Sequence, residues 1–110
     1  MELENVYIRG EIGGKGERFV YVNDIMLTPW SSRKVWDLSP TFDWGLAARP
    51  ALQLSLAICL EVLKDVPKAE QISIPFKNTH VASWRFGQPF EVSVNFWEFI
   101  QICGLKTEFQ

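Results

Sequence analysis

His80 is the single histidine of this 110-residue chain, and so its candidate general base at neutral pH. A nucleophilic triad would need a serine or cysteine placed against it and a third group to orient it. Its neighbours Asn78, Thr79 and Ser83 suggest no such arrangement, and His80 reads as a structural or surface histidine. Asp37 and Asp43 flank the Ser39-Pro40 turn and could form a carboxylate pair, but turn and cap hydrogen bonding is the simpler use of acids beside a proline. A metal centre needs clustered ligands. Cys59 and Cys103 are far apart and fall on apolar faces of predicted helices, where cysteine behaves as a small reduced hydrophobe. Gly10 to Gly16 (G-E-I-G-G-K-G) invites a phosphate-cradle reading. That cradle requires a strand, the loop and then a helix N-terminus, and here another strand follows. No catalytic constellation, cofactor, metal or small-molecule substrate is implied, so the chain reads as a non-enzyme.

Two stretches instead have the chemistry of binding. Ser31-Ser32-Arg33-Lys34 lies between Trp30 and Trp36, and cations beside aromatics can neutralise and stack on a nucleic-acid strand. The competing reading is a solvated loop whose tryptophans anchor in the core. A net charge of −2 argues against a broad surface for nucleic acid or anionic lipid, while leaving room for a local patch. The second stretch is the turn Phe42-Asp43-Trp44, with Arg49 downstream. Asp43 could cap the following helix or pair with Arg49, and the two aromatics either plug the core or form a functional edge. The fifteen aromatic residues (two Tyr, eight Phe, five Trp) are many for one small core. Trp is enriched at interface hot spots, so the favoured expectation is a protein-binding or self-associating module. The alternative is a nucleic-acid accessory protein using Trp30, Arg33, Lys34, Trp36 and Arg49.

These residues hang on one long apolar segment, Pro50 to Lys64. Pro50 suits a first helical position, and Leu and Ala dominate the first half. At about 100° per residue, Gln53, Glu61 and Lys64 share a thin strip with Ala57, so this strip is expected to reach water while the rest is buried. Pro67 is expected to end the helix. Ten to fourteen apolar residues are too few to span a bilayer, and the opening Met-Glu-Leu-Glu-Asn lacks the features of a signal peptide, so a cytoplasmic location is expected.

The N-terminal half reads as an antiparallel meander: Asn5 to Arg9, Phe19 to Val22 and Ile25 to Leu27, with Asn23-Asp24 as a tight turn. After the central helix, Lys68 to Ile74 reads as a polar connector or half-helix. Residues 75–86 are ambiguous between helix and strand, with a short helix followed by an extended piece through Phe86 favoured. Phe90 to Val92 is a short strand. Ser93 is expected to cap an amphipathic helix, Val94 to Cys103, that lies against the central one, with Gly104 as its stop. Leu105 to Gln110 is expected to fray. The fold class is α+β in a single domain over residues 1–110: a small antiparallel meander packed on a buried central helix and a C-terminal amphipathic helix.

The residues Ser39-Pro40-Thr41, Phe42, Asp43, Trp44-Gly45, Gln53-Leu54, Leu56-Ala57-Ile58 and Glu61-Val62-Leu63 resemble the motif of the domain-of-unknown-function family 6166, small proteins of bacteria and their phages. That motif runs S-P-T-G-F-E-W-G-Y-G-G-S-G-P-A-Q-L-A-L-A, then further apolar residues, an acidic residue and V-L. Weaker likeness extends to Tyr7-Ile8-Arg9-Gly10, Val20-Tyr21-Val22, Phe76-Lys77, Val81-Ala82 and the C-terminal helix. One glycine is missing before Phe42, and Leu46-Ala47-Ala48-Arg49-Pro50 replaces a glycine-serine-glycine run. The resemblance implies a fold and a phage or mobile-element setting; it implies no activity.

Overall fold

The structure, a computed structural model, describes residues 2–104; the fraying expected of 105–110 lies outside the described residues. It is an α+β domain. The strands β1 (Val6–Ile12), β2 (Arg18–Val22), β3 (Ile25–Leu27) and β4 (Phe90–Val94) form one antiparallel sheet in the order β3-β2-β1-β4. The meander is therefore real, and a C-terminal strand completes it on the far side of β1. Alternation along the strands sends Val6, Ile8, Val20, Val22 and Val94 into the core. Tyr7, Arg9 and Tyr21 stand on the opposite face, where the Arg9 guanidinium lies 4.1 Å from the Tyr21 ring centre.

β1 runs three residues beyond the expected Arg9, taking in Gly10. The partner of Gly10 across the ladder is Phe90, whose ring occupies the space above the glycine: a Cβ there would come within 2.1 Å of it. Phe90 also stacks on Trp84 at 4.1 Å and meets Trp44 edge-on at 4.8 Å. Of the four loop glycines, this one serves aromatic packing within the sheet. The turn proper is confined to the residues between β1 and β2, and a strand does follow it.

The central helix is α2 (Arg49–Leu63), with Leu54, Leu56 and Leu63 in the core and Leu52 and Leu60 half-buried. It ends because Lys64 turns into the left-handed region, φ 55°. Pro67 does not end it; it sits in the first turn of the next helix, α3 (Val66–Thr79), where its missing N–H is harmless. Asp65 caps α3, its carboxylate accepting the Lys68 N–H at 3.0 Å. α3 takes in the half-helix alternative for Lys68 to Ile74 and, as far as Thr79, the short helix favoured at the start of 75–86, joining them into one helix. Pro75 lies inside it, despite a cost of about 3 kcal/mol for an interior proline. Burial of Ala69, Ile72, Ser73 and Phe76, spaced i, i+3, i+4, i+7, supplies the offset. A 3-10 turn at Val81–Ser83 follows, in place of an extended piece.

Two further expectations are corrected. Ser93 and Val94 belong to β4, and the last helix, α4 (Phe96–Ile102), is capped by Asn95, which accepts the Glu98 N–H at 2.9 Å. The main helical neighbour of α2 is α3, where Ser55 Oγ donates to the Ser73 carbonyl at 2.6 Å. α4 meets α3 through rings, with Phe76 stacked on Phe96 at 4.9 Å and edge-on to Phe99 at 5.4 Å.

Candidate surface at the β3 edge

The segment after β3 is not a loop. Pro29 opens a five-residue helix, α1 (Pro29–Arg33), which separates the Trp30–Trp36 residues. Trp30 is 68 % exposed, and the Lys34 ammonium lies 5.4 Å from its ring centre. Arg33 is held by Asp37 at 2.6 Å, a bond that raises the Arg33 pKa and lowers that of Asp37. Trp36 is half-buried against the core. Arg49 donates to the Leu38 carbonyl at 3.0 Å.

The Phe42–Trp44 turn is part of the interior. Trp44 is fully buried and Phe42 nearly so; Trp44 Nε1 donates to the Gln88 carbonyl at 2.8 Å. Asp43 neither caps α2 nor pairs with Arg49. Its Oδ1 accepts from the Trp44 N–H at 2.9 Å and from Arg18 Nε at 3.2 Å. The N-cap of α2 is Ala48, whose methyl group can accept no hydrogen bond. Asp37 and Asp43 therefore serve different arginines and do not act as a carboxylate pair. Gly45 meets two demands at once, a positive φ and a close approach of backbone. Its φ is 78°, and a Cβ would fall 2.3 Å from the Phe86 nitrogen.

The thin polar strip expected on α2 fails at Gln53, which is completely buried. Its Oε1 accepts the Leu38 and Ser39 N–H groups at 2.8 and 3.1 Å, and its Nε2 donates to Ser32 Oγ at 2.8 Å. One amide thus ties α1, the Ser39-Pro40 turn and α2 together, satisfying donors that would otherwise be orphaned.

What the sequence reading missed is the flank of the sheet. β3 is an edge strand, and it carries Ile25 and Met26, 54 % and 52 % exposed, one turn before Trp30. Sheet edges are commonly guarded by charge. The opposite edge has Glu91 in β4, whereas Ile25-Met26-Leu27 has none. Two hollows, each about 310 Å³, meet at this strand and share Met26, Leu27 and Thr28. One is otherwise walled mainly by Phe19, Pro29, Pro40 and Phe42. The other opens between α1 and α2, over Ser31, Leu60, Glu61 and Lys64. A meander that ends on β3 was the available signal, since its last strand must lie at an edge unless something later covers it.

The remaining titratable groups point to no reaction. His80 is held between Phe76 and Phe99, ring centres 4.8 and 5.3 Å away, and burial lowers its pKa. Both cysteines are free, and burial pushes the Cys59 thiol up to about 12, far from a thiolate at neutral pH. Among the described residues no group of three His, Cys, Asp or Glu could hold a metal ion, and no helix is long and apolar enough to cross a membrane.

No curated protein and no solved structure matches this chain. Residues 9–99 match the family model described as a family of unknown function, DUF6166, and the chain belongs to that family.

Proposed function

We propose that this protein is a non-catalytic protein-binding module of a phage or mobile element, acting in the cytoplasm, and that it docks on a partner or self-associates through β3 and α1. One observation carries the reading: Ile25 and Met26 are more than half exposed on an edge strand that itself holds no charged side chain, and Trp30, 68 % exposed, follows in α1. Exposed apolar groups gathered in one place favour contact with another protein. The buried Phe42 lines one of its hollows. The test is a pull-down from the native host with mass spectrometry, in parallel with light scattering, comparing the wild type with Trp30→Ala. A partner or dimer lost on Trp30→Ala, with the circular dichroism spectrum unchanged, is the expected result. A strict monomer that captures nothing argues against it.

The placement of Lys34 against the exposed Trp30 ring favours a second reading, an accessory protein that stacks on single-stranded nucleic acid. It requires oligonucleotide binding that weakens with salt and is lost on Arg33→Ala with Lys34→Ala. No shift at low salt removes it.

A further inference from the structure

Asn23 and Asp24 both have positive φ, 48° and 66°, which makes them the two central residues of a primed hairpin turn. The residues flanking such a turn, Val22 and Ile25, exchange both backbone hydrogen bonds. The next pair, Tyr21 and Met26, does not. The N–H and C=O of Met26 therefore point away from β2, toward the free edge. They sit where the two hollows meet, one walled mainly by Phe19, Pro29, Pro40 and Phe42 with Glu17, Arg18 and Thr41 also on its lining, and the other carrying Ser31, Glu61 and Lys64.

Building on the reading of β3 and α1 as a contact surface, we infer that β3 accepts an extended segment of a partner protein as an added strand. The Met26 backbone supplies the hydrogen bonds. The hollows select an apolar side chain for the Phe19–Pro40–Phe42 side and a nearby polar side chain for the Glu61–Lys64 side. This is strand addition, in which main-chain bonds hold the ligand and side-chain hollows choose it. A second copy of this chain fits less well. The three side chains of its own β3, Ile25, Met26 and Leu27, are all apolar, a poor match for the hollow over Glu61 and Lys64.

The experiment selects from a displayed library of random heptapeptides on the full chain, then measures the enriched peptides in synthetic form. Met26→Pro removes the outward N–H without breaking a bond to β2, since proline is tolerated at such edge positions. Enriched peptides are expected to pair an apolar residue with a nearby polar one. They should lose at least ten-fold in affinity on Met26→Pro, and equally on N-methylation of one peptide bond with the side chains unchanged. If Met26→Pro does not fold, the N-methylated series on the wild type decides alone. No enrichment, or affinity indifferent to both changes, overturns strand addition. So does a wild-type dimer that Met26→Pro converts to monomer, which would make the occupant a second copy. Binding lost on Trp30→Ala but indifferent to both backbone changes would sink strand addition and leave the contact surface standing.

Discussion

Gln53 reaches from the middle of α2 to the backbone of Ser39, its Oε1 accepting the Ser39 N–H at 3.1 Å in a site closed to water. The same amide serves Leu38 and Ser32, so it acts as a pin through three segments. Gln53→Leu keeps the volume close but leaves two N–H groups and a hydroxyl without this partner. A loss of about 3 kcal/mol in urea unfolding is expected, the cost of buried groups left unsatisfied. A loss below about 0.5 kcal/mol, the range of an ordinary surface substitution, would mean that the amide is not the tie between these segments.

Gly45 allows the turn before α2 to pass against the Phe86 backbone. Its φ of 78° is costly for any other residue, and a Cβ would overlap the Phe86 nitrogen and α-carbon, 2.3 and 2.5 Å away. Backbone cannot move aside as a flexible side chain can. Gly45→Ala should cost more than about 3 kcal/mol, above the strain of the dihedral alone. Thermal denaturation of Gly45→Ala beside the outwardly open Gly14→Ala separates this crowding from a general effect of replacing glycine.

Two tryptophans of the sequence-predicted binding set, Trp44 and Trp30, should behave oppositely. Trp44 is fully buried, packed on Phe90, and Trp44→Ala is expected to cost about 3–5 kcal/mol as a core truncation. Trp30 is largely exposed, and Trp30→Ala should leave stability within about 0.5 kcal/mol. Chemical denaturation of both variants checks the contrast; a destabilised Trp30→Ala would mean that this ring packs in the core.

His80 makes stability depend on pH. Burial lowers its folded-state pKa below the ordinary 6.5, so the unfolded chain binds the proton more readily. Its contribution is present above about pH 6.5 and is lost as pH falls through that value toward the lower folded-state pKa. Glu98 of α4 lines the same hollow as His80, and its charge would oppose the effect. The expected result is a melting temperature that falls between pH 7 and pH 5, with a smaller fall in His80→Phe. Identical curves for the two proteins would exclude His80 as the source.

The sequence by itself determined the elements whose signal is local. Asn23-Asp24 turns the chain because these residue types tolerate positive φ, and the Pro50–Leu63 run is helical and buried because its composition permits little else. The Ser39–Leu63 motif marked the family, which the match over residues 9–99 establishes. α3 was legible only in pieces, as a half-helix and a short helix, because Pro67 and Pro75 punctuate it and its buried stripe includes Ala69 and Ser73, residues that carry weak hydrophobic signal. Packing against α2 makes it a helix.

Only the tertiary structure decided which polar residues lie inside. Gln53 falls on the polar strip of α2 by periodicity alone, and it is buried because α1 and the Ser39-Pro40 turn close over it and meet its hydrogen bonds. The same holds for the candidate surface. Phe42 and Trp44 read from the sequence either as a core plug or as a functional edge, and burial under the sheet makes them the plug, while β3 read only as a third strand, and Met26 lies at an edge because β4 pairs with β1 instead. Neighbours along the chain set local shape; burial is set by what arrives from far away in sequence, and no spacing within a segment encodes that arrival.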